Sequence, residues 1–187
     1  MINKVIPTFS NQAFDPKTNS FVTVTDNDIK GHWSVIVQFP LTFTFNCPTE
    51  LSDMADYHAE LESMGVKVFS LSVDSHFNQK AWHDVSEAVG TVKYPMIGDH
   101  KGELIRALGG MDEENGVGFR VTYIIDPDGV IVAADMTTDA VARDAAEAVR
   151  KLKAAIYVRN NPGQVCPAKW KEGEDTLTPS IDLVGKI

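Results

Sequence analysis

An apolar run from Trp33 to Phe39 (WSVIVQF), dense in β-branched and aromatic residues, ends in the stretch Pro40 to Glu50 (PLTFTFNCPTE), and beyond it the apolar spacing changes. The run reads as a buried strand. Leu51, Met54, Ala55, His58, Leu61 and Met64 then recur three and four residues apart, which predicts one face of an amphipathic helix closed by Gly65. Pro48 suits the first turn of that helix, where its missing N–H leaves nothing unsatisfied. Thr49 and Glu50 add a polar hydroxyl and a first-turn carboxylate. Cys47 therefore stands at a strand-to-helix junction, over the positive end of the helix dipole, where anionic groups are held best. A cysteine that only packs belongs inside the apolar run, whereas this one lies past it. Glu50 occupies the place three residues on, so a C-x-x-C dithiol is excluded.

The remaining chain supplies the layers around this junction. Val5 to Phe14 and Phe21 to Thr25 read as short strands joined by a turn at Asp15–Asn19, and Asp26-Asn27-Asp28 as a cap for one helical turn ending at Gly31. Val66 to Val73 is a second strand, so strand, helix and strand form a βαβ unit with parallel strands. A helix over Ser75–Val89, a short strand over Tyr94–Ile97 and a short helix over Lys101–Leu108 follow. Arg120–Ile125 and Val130–Met136 flank Asp126-Pro127-Asp128-Gly129, a hairpin signal. A long amphipathic helix is expected over Asp139–Val158, with Val141, Ala145, Ala148, Val149 and Leu152 on one face and Pro162-Gly163 as its break. The order is that of an α/β thioredoxin-like fold with an N-terminal β extension. The expected division is a thioredoxin-like domain over 1–162 and a C-terminal tail over 163–187 that carries Cys166.

Charge and cysteine usage narrow the function. The net charge of −9 argues against nucleic acid as a partner. The N-terminus lacks the apolar core of a signal peptide, and no apolar run approaches the ~20 residues of a spanning helix. A cytoplasmic location without membrane association is therefore expected, and there a cysteine pair points to catalysis rather than to a static staple. The five histidines are spaced too widely for a ligand cluster, and no metal site or phosphate loop is visible. Trp82 and Trp170 read as packing residues.

Pro40, Thr44 and Cys47 reproduce the pattern P-x-x-x-[ST]-x-x-C. With SHFNQKAWH at 75–83 and the tail motifs VCPAKWKEGE and PSIDLVGKI, the chain resembles the typical 2-Cys peroxiredoxins of the bacterial alkyl hydroperoxide reductase kind over nearly its whole length. The resemblance implies a thiol peroxidase acting on hydrogen peroxide and organic hydroperoxides, with Cys47 as the peroxidatic and Cys166 as the resolving cysteine of an intersubunit disulfide. It implies no bound cofactor, a dithiol protein as electron donor (an NADH-linked flavoprotein reductase subunit, or thioredoxin), and a homodimer assembling into a ring, a decamer. Arg120 matches the family's active-site arginine. Glu50 and Arg143 match positions that orient it through a carboxylate bridge, with a solvated helix pair as the competing reading. Asn46 stands where the family usually has Val, and Thr42 where bacterial members often have Asp. The glycine cluster of over-oxidation-sensitive members is missing from His83–Met96, and no covering helix is expected after Ile187.

The chemistry sets its own demands. A thiol of pKa ~8.5 is about 3% ionised at pH 7, so full ionisation gains at most roughly 30-fold. Further acceleration must come from donors aimed at the two peroxide oxygens. Thr44 can supply a hydroxyl, Pro40 can keep water from the sulfur, and a guanidinium such as Arg120 offers several donors with a permanent charge. Two other functions compete: a chaperone-like holdase, against which the intact Pro40, Thr44, Cys47 and Arg120 set argues, and a general disulfide oxidoreductase, against which Glu50 argues.

Overall fold

In the computed structural model, which describes residues 1–186, the apolar run becomes the middle of a mixed sheet. The strands are β1 (Ser10–Asp15), β2 (Ser20–Thr25), β3 (Ser34–Gln38), β4 (Lys67–Ser72), β5 (Met96–Gly98), β6 (Met111–Asp112), β7 (Val117–Gly118), β8 (Arg120–Ile125) and β9 (Ile131–Thr137). The helices are α1 (Cys47–Asp56), α2 (His58–Ser63), α3 (His76–Val85), α4 (Glu103–Leu108) and α5 (Ala145–Asn160). Seven strands lie in the order β2-β1-β5-β4-β3-β8-β9, and β6 pairs with β7 apart from them. Strand β3 runs parallel to β4 and antiparallel to β8, with Val37 beside Ser70 on one side and Thr122 on the other. The βαβ unit and the hairpin are thus present in a thioredoxin-like α/β fold, and β1 with β2 forms the N-terminal extension.

The chain divides into two compact units, one over Met1–Ala145 and one from Ala146 onward. In the first, the period-two alternation of β8 sends Val121, Tyr123 and Ile125 into one core, together with Ile36, Leu71, Ile97 and the α4 residues Leu104, Ile105 and Leu108. Arg120 and Thr122, one step out of phase, therefore share the opposite face of the sheet. All six residues of β8 are buried, so a guanidinium placed there must find its partners inside the protein.

A buried amide holds the start of β8 in place. Gln38 Nε2 donates to the carbonyls of Gly110 and Phe119, both at 2.8 Å, and Tyr123 Oη donates to Gln38 Oε1 at 3.2 Å. This approach requires glycine at 110, because a Cβ there would sit 2.4 Å from the Tyr123 hydroxyl. The pair Gly109-Gly110 is explained by this and by the left-handed φ of +80° with which Gly109 ends α4.

Several expected boundaries shift. The first strand begins at Ser10 rather than Val5. Pro7 has no N–H to give a ladder, and the preceding residues instead follow the hairpin turn, with Ile6 N–H on the Gly129 carbonyl at 2.8 Å. The single helix expected up to Gly65 is two, divided at Tyr57, whose N–H bonds to the Met54 carbonyl at 3.2 Å. Nothing in the residue types signals that division. Helix α3 stops at Val85, since Ser86 is extended, and a separate 3-10 turn covers Val89–Thr91. The strand expected from Tyr94 starts at Met96. The capping carboxylate of the turn at 26–28 belongs to Asp28, which accepts from the Thr25 N–H at 2.7 Å.

The largest shift is at the last helix, which begins at Ala145 and not at Asp139. Residues 138–144 instead form one turn, with Val141 N–H on the Thr138 carbonyl at 3.1 Å, followed by irregular backbone. Thr137 Oγ1 donates to the Val141 carbonyl at 2.6 Å, and Val141 itself is exposed. In the second unit, Gly163, with φ +89°, follows α5, and the tail turns back along it. Val165 pairs with Leu177, the Trp170 ring lies 5.1 Å from that of Tyr157, and Arg150 Nη1 donates to the Trp170 carbonyl at 3.1 Å. Trp82 and Trp170 are both buried, as packing residues are.

Candidate active site

Cys47 opens α1 with Asn46 before it and Pro48 behind, and its side chain is fully buried. The loop that delivers it is fastened at Thr42, whose N–H donates to Asp74 Oδ2 at 2.7 Å. Phe43 adopts a left-handed φ of +58°. Pro40 is buried. The Thr44 hydroxyl donates to the Leu41 carbonyl at 2.9 Å, which leaves its lone pairs available to accept.

Arg120 reaches the sulfur, with Glu50 and Arg143 behind it. Arg120 Nη1 lies 3.3 Å from Cys47 Sγ and 2.7 Å from Glu50 Oε2. Arg143 grips the same carboxylate in a fork, Nε to Oε1 at 2.8 Å and Nη2 to Oε2 at 2.9 Å. Its backbone N–H adds a further bond to Oε1 at 2.9 Å. Arg143 Nη1 donates to Thr122 Oγ1 at 3.1 Å. These side chains are almost fully buried, so the solvated helix pair is excluded and the carboxylate bridge is the observed geometry. Arg143 reaches it from the irregular segment that precedes α5 rather than from within a helix.

Asp139 is a contributor that sequence reading missed. Its carbonyl accepts from Arg120 Nε at 2.7 Å and its carboxylate from Nη2 at 2.9 Å. With Glu50 on Nη1, the guanidinium is oriented along both edges, and one Nη1 hydrogen faces the sulfur. No local pattern marks Asp139, which is an exposed acid in a loop. Asp74 and Thr122 are equally silent in the sequence.

Burial works against the Glu50 carboxylate, yet the Arg143 and Arg120 hydrogen bonds outweigh it and hold its pKa below the ordinary carboxylate range. Burial also works against the Arg120 charge, and here Cys47 and Glu50 outweigh it and raise the pKa. Two buried guanidiniums share one buried carboxylate, since the Asp139 side chain is 80% exposed. The excess positive charge in this interior is directed at Sγ.

Cys166 lies in the second unit, half-buried, with Sγ 3.8 Å from the Ala154 carbonyl. Burial pushes its thiol up from the ordinary value, against the pull of Arg150. Both cysteines are free thiols. Among the described residues no group of His, Cys, Asp or Glu could hold a metal ion, and no helix is long and apolar enough to cross a membrane.

Solved structures share this arrangement of elements. A crystal structure of Enterococcus faecalis AhpC superposes with a TM-score of 0.85 at 38% identity, covering 89% of this chain and 98% of that one. The reduced 2-Cys peroxiredoxin of Plasmodium vivax gives a TM-score of 0.90 at 25% identity, over 97% and 94%. The class is that of the peroxiredoxins, thiol-dependent peroxidases on a thioredoxin-like fold. Residues 2–134 match the AhpC/TSA family and residues 157–186 the C-terminal domain of 1-Cys peroxiredoxin. Alkyl hydroperoxide reductase C of Salmonella typhimurium is 52% identical over 187 residues, 100% of this chain and 99% of that protein. The chain belongs to the AhpC/TSA family.

Proposed function

We propose that this peroxidase reduces hydrogen peroxide and small organic hydroperoxides with Cys47 as nucleophile and Cys166 of a second copy as resolving thiol. The observation that carries this reading is the Arg120 guanidinium, 3.3 Å from Cys47 Sγ and locked by Glu50 and Asp139. The Cys47 thiolate attacks one peroxide oxygen, the O–O bond breaks, and the other oxygen leaves as an alkoxide that takes up a proton. A sulfenic acid remains on Cys47. The Arg120 fork meets charge as it moves from sulfur to the departing oxygen, and because it is already oriented it need not reorganise. The role of Pro40, buried in the loop before Cys47, is to keep water from the sulfur, and the Thr44 hydroxyl can accept from the incoming peroxide and, after rotation, donate to it.

Cys166 then attacks the sulfenic sulfur, water leaves, and a disulfide joins two subunits. A dithiol protein reopens it, fed from NADH through a flavoprotein disulfide reductase or, as the alternative donor, by thioredoxin. No prosthetic group is needed on this chain. The working division is a peroxidase domain over 1–162 and a tail over 163–187 that brings Cys166, and the cell compartment is the cytoplasm. Support for a homodimer comes from β9, which has a paired neighbour on one side only. The N-terminal segment covers just its start at Val130 and Ile131. Support for a ring, a decamer, comes from apolar side chains left in solvent: Phe45 is 97% exposed, and Phe43, Phe77 and Val85 are also exposed.

Turnover of the purified protein with each donor and a panel of hydroperoxides tests the proposal. Peroxide consumption that depends on Cys47 and on a dithiol donor is expected, and consumption unchanged in Cys47→Ser would overturn it.

A further inference from the structure

Helix α1 is fastened from outside at its second turn. The Tyr94 hydroxyl donates to the Leu51 carbonyl at 2.9 Å, and both residues are buried, Tyr94 at 1% and Leu51 at 0% exposure. By the helical pattern the same carbonyl accepts from the Ala55 N–H, so the phenol takes its second lone pair. Burial raises the Tyr94 pKa far above its ordinary value and keeps the phenol a donor. The residue immediately precedes Pro95, whose carbonyl accepts from the Ser70 N–H of β4 at 3.0 Å. The clamp is therefore anchored to the sheet through its backbone, while its ring also lies 5.6 Å from that of His58 at the start of α2. Just beyond it, Asp53 Oδ2 accepts from the Ala145 N–H at 2.8 Å.

The turn before Leu51 is held differently. Cys47 and Glu50 are tied to the arginines through their side chains. A fully buried sulfur cannot meet a thiol on another chain unless that turn opens. Unwinding lengthens the backbone from 1.5 Å to about 3.4 Å per residue, a gain of roughly 2 Å for each residue released. The number of residues released therefore decides the reach of Cys47.

We propose that Tyr94 is the positioning residue that stops the unwinding of α1 at Leu51. It confines the mobile arm to residues 47–50 and so sets how oxidised Cys47 divides between two fates. In one, the Cys166 thiol displaces water from the sulfenic acid and forms the disulfide. In the other, the sulfenic sulfur attacks a second hydroperoxide, the O–O bond breaks, and a sulfinic acid and an alcohol result. The inference rests on the assignment of Cys47 and Cys166 made above.

Tyr94→Phe keeps the ring and leaves the Leu51 carbonyl its helical donor, so the fold survives. Wild type and variant are turned over with increasing hydroperoxide, and Cys47 sulfinate and the intersubunit disulfide are quantified by mass spectrometry. Hydrogen exchange at the Ala55 amide is followed alongside. Loss of one net hydrogen bond is worth on the order of fivefold in an opening equilibrium. The variant should therefore exchange faster at Ala55, and its ratio of sulfinate to disulfide should fall by about that factor. A hydroxyl that only supports the fold would lower the melting temperature and leave the ratio at the wild-type value, which would overturn the inference. A wild type that forms no intersubunit disulfide would overturn the cysteine assignment instead.

Discussion

Glu50 serves two guanidiniums with one carboxylate, and one of the two is the partner of the Cys47 thiol. Its pKa in the folded protein is held below the ordinary 4.5 by Arg143 and Arg120. For an acid shifted downward, the stabilisation is present above the unfolded value and lost as pH falls through the folded one. Stability should therefore drop below about pH 4.5, and Glu50→Gln should lose that part of the acid dependence in urea titrations at several pH values. The same variant should be less stable by about 3 kcal/mol at pH 7, because two buried guanidiniums lose the negative charge and one of the two acceptor oxygens they share. Arg120→Ala should slow the reaction with peroxide far more than Arg120→Lys, and Lys should not restore it fully, since an ammonium lacks the fork. That defect should persist at pH 9, where an ordinary thiol is mostly ionised. Recovery of the wild-type rate at pH 9, measured by stopped flow, would restrict Arg120 to the ionisation of sulfur. At this scale the candidate site was legible where a residue type is tied to a motif, as with Cys47 and Arg120, which the fold brings within 3.3 Å. It was not legible where an ordinary residue is recruited by folding. Asp139, Asp74, Gln38 and Tyr94 act through contacts with residues 19, 32, 72 and 43 positions away, which no local spacing encodes.

Among the elements, α1 is the one whose opening the proposed cycle requires. Cys166→Ser should permit one round of oxidation and then stall with Cys47 as a sulfenic acid, seen as a single turnover without a disulfide. The missing glycine cluster in His83–Met96 leads to the expectation that Cys47 survives many equivalents of peroxide. Against easy release stands the tail itself, which folds back along α5 through Trp170, Arg150 and the Val165–Leu177 pairing. Sulfinate on Cys47 at sub-millimolar peroxide, with a working donor present, would show that these contacts hold the tail long enough for a second oxidation. Strands were readable because burial on one or both faces leaves a period-two or continuous apolar pattern, and β3, β4, β8 and β9 lie close to where the pattern puts them. Helix limits were less readable. The start of α5 is displaced from Asp139 because Arg120 takes both the carbonyl and the carboxylate of that residue. Propensity cannot register such a tertiary claim on a turn.

For the whole molecule, the wild type treated with one equivalent of peroxide should run as a dimer on a non-reducing gel, joined through Cys47 and Cys166. A monomer with an internal disulfide would contradict the exchange between copies. The exposed Phe45, Phe77 and Val85 should be covered in a ring, and light scattering across a dilution series should find the assembly dissociating in concert with their solvent exposure. One feature of the thiol's surroundings also bears on how the protein is made. The guanidinium beside Cys47 belongs to a residue 73 positions later, and the arginine that fixes their common carboxylate stands 93 positions after Glu50. A chain emerging from the ribosome thus carries its cysteine for most of its synthesis without the groups that aim charge at it. The sulfur is set in its reactive surroundings only once residue 143 has been added and folded back. On the proposed assignment, the growing polypeptide until then meets peroxide with a thiol that lacks these partners, and a chain halted before that point stays so.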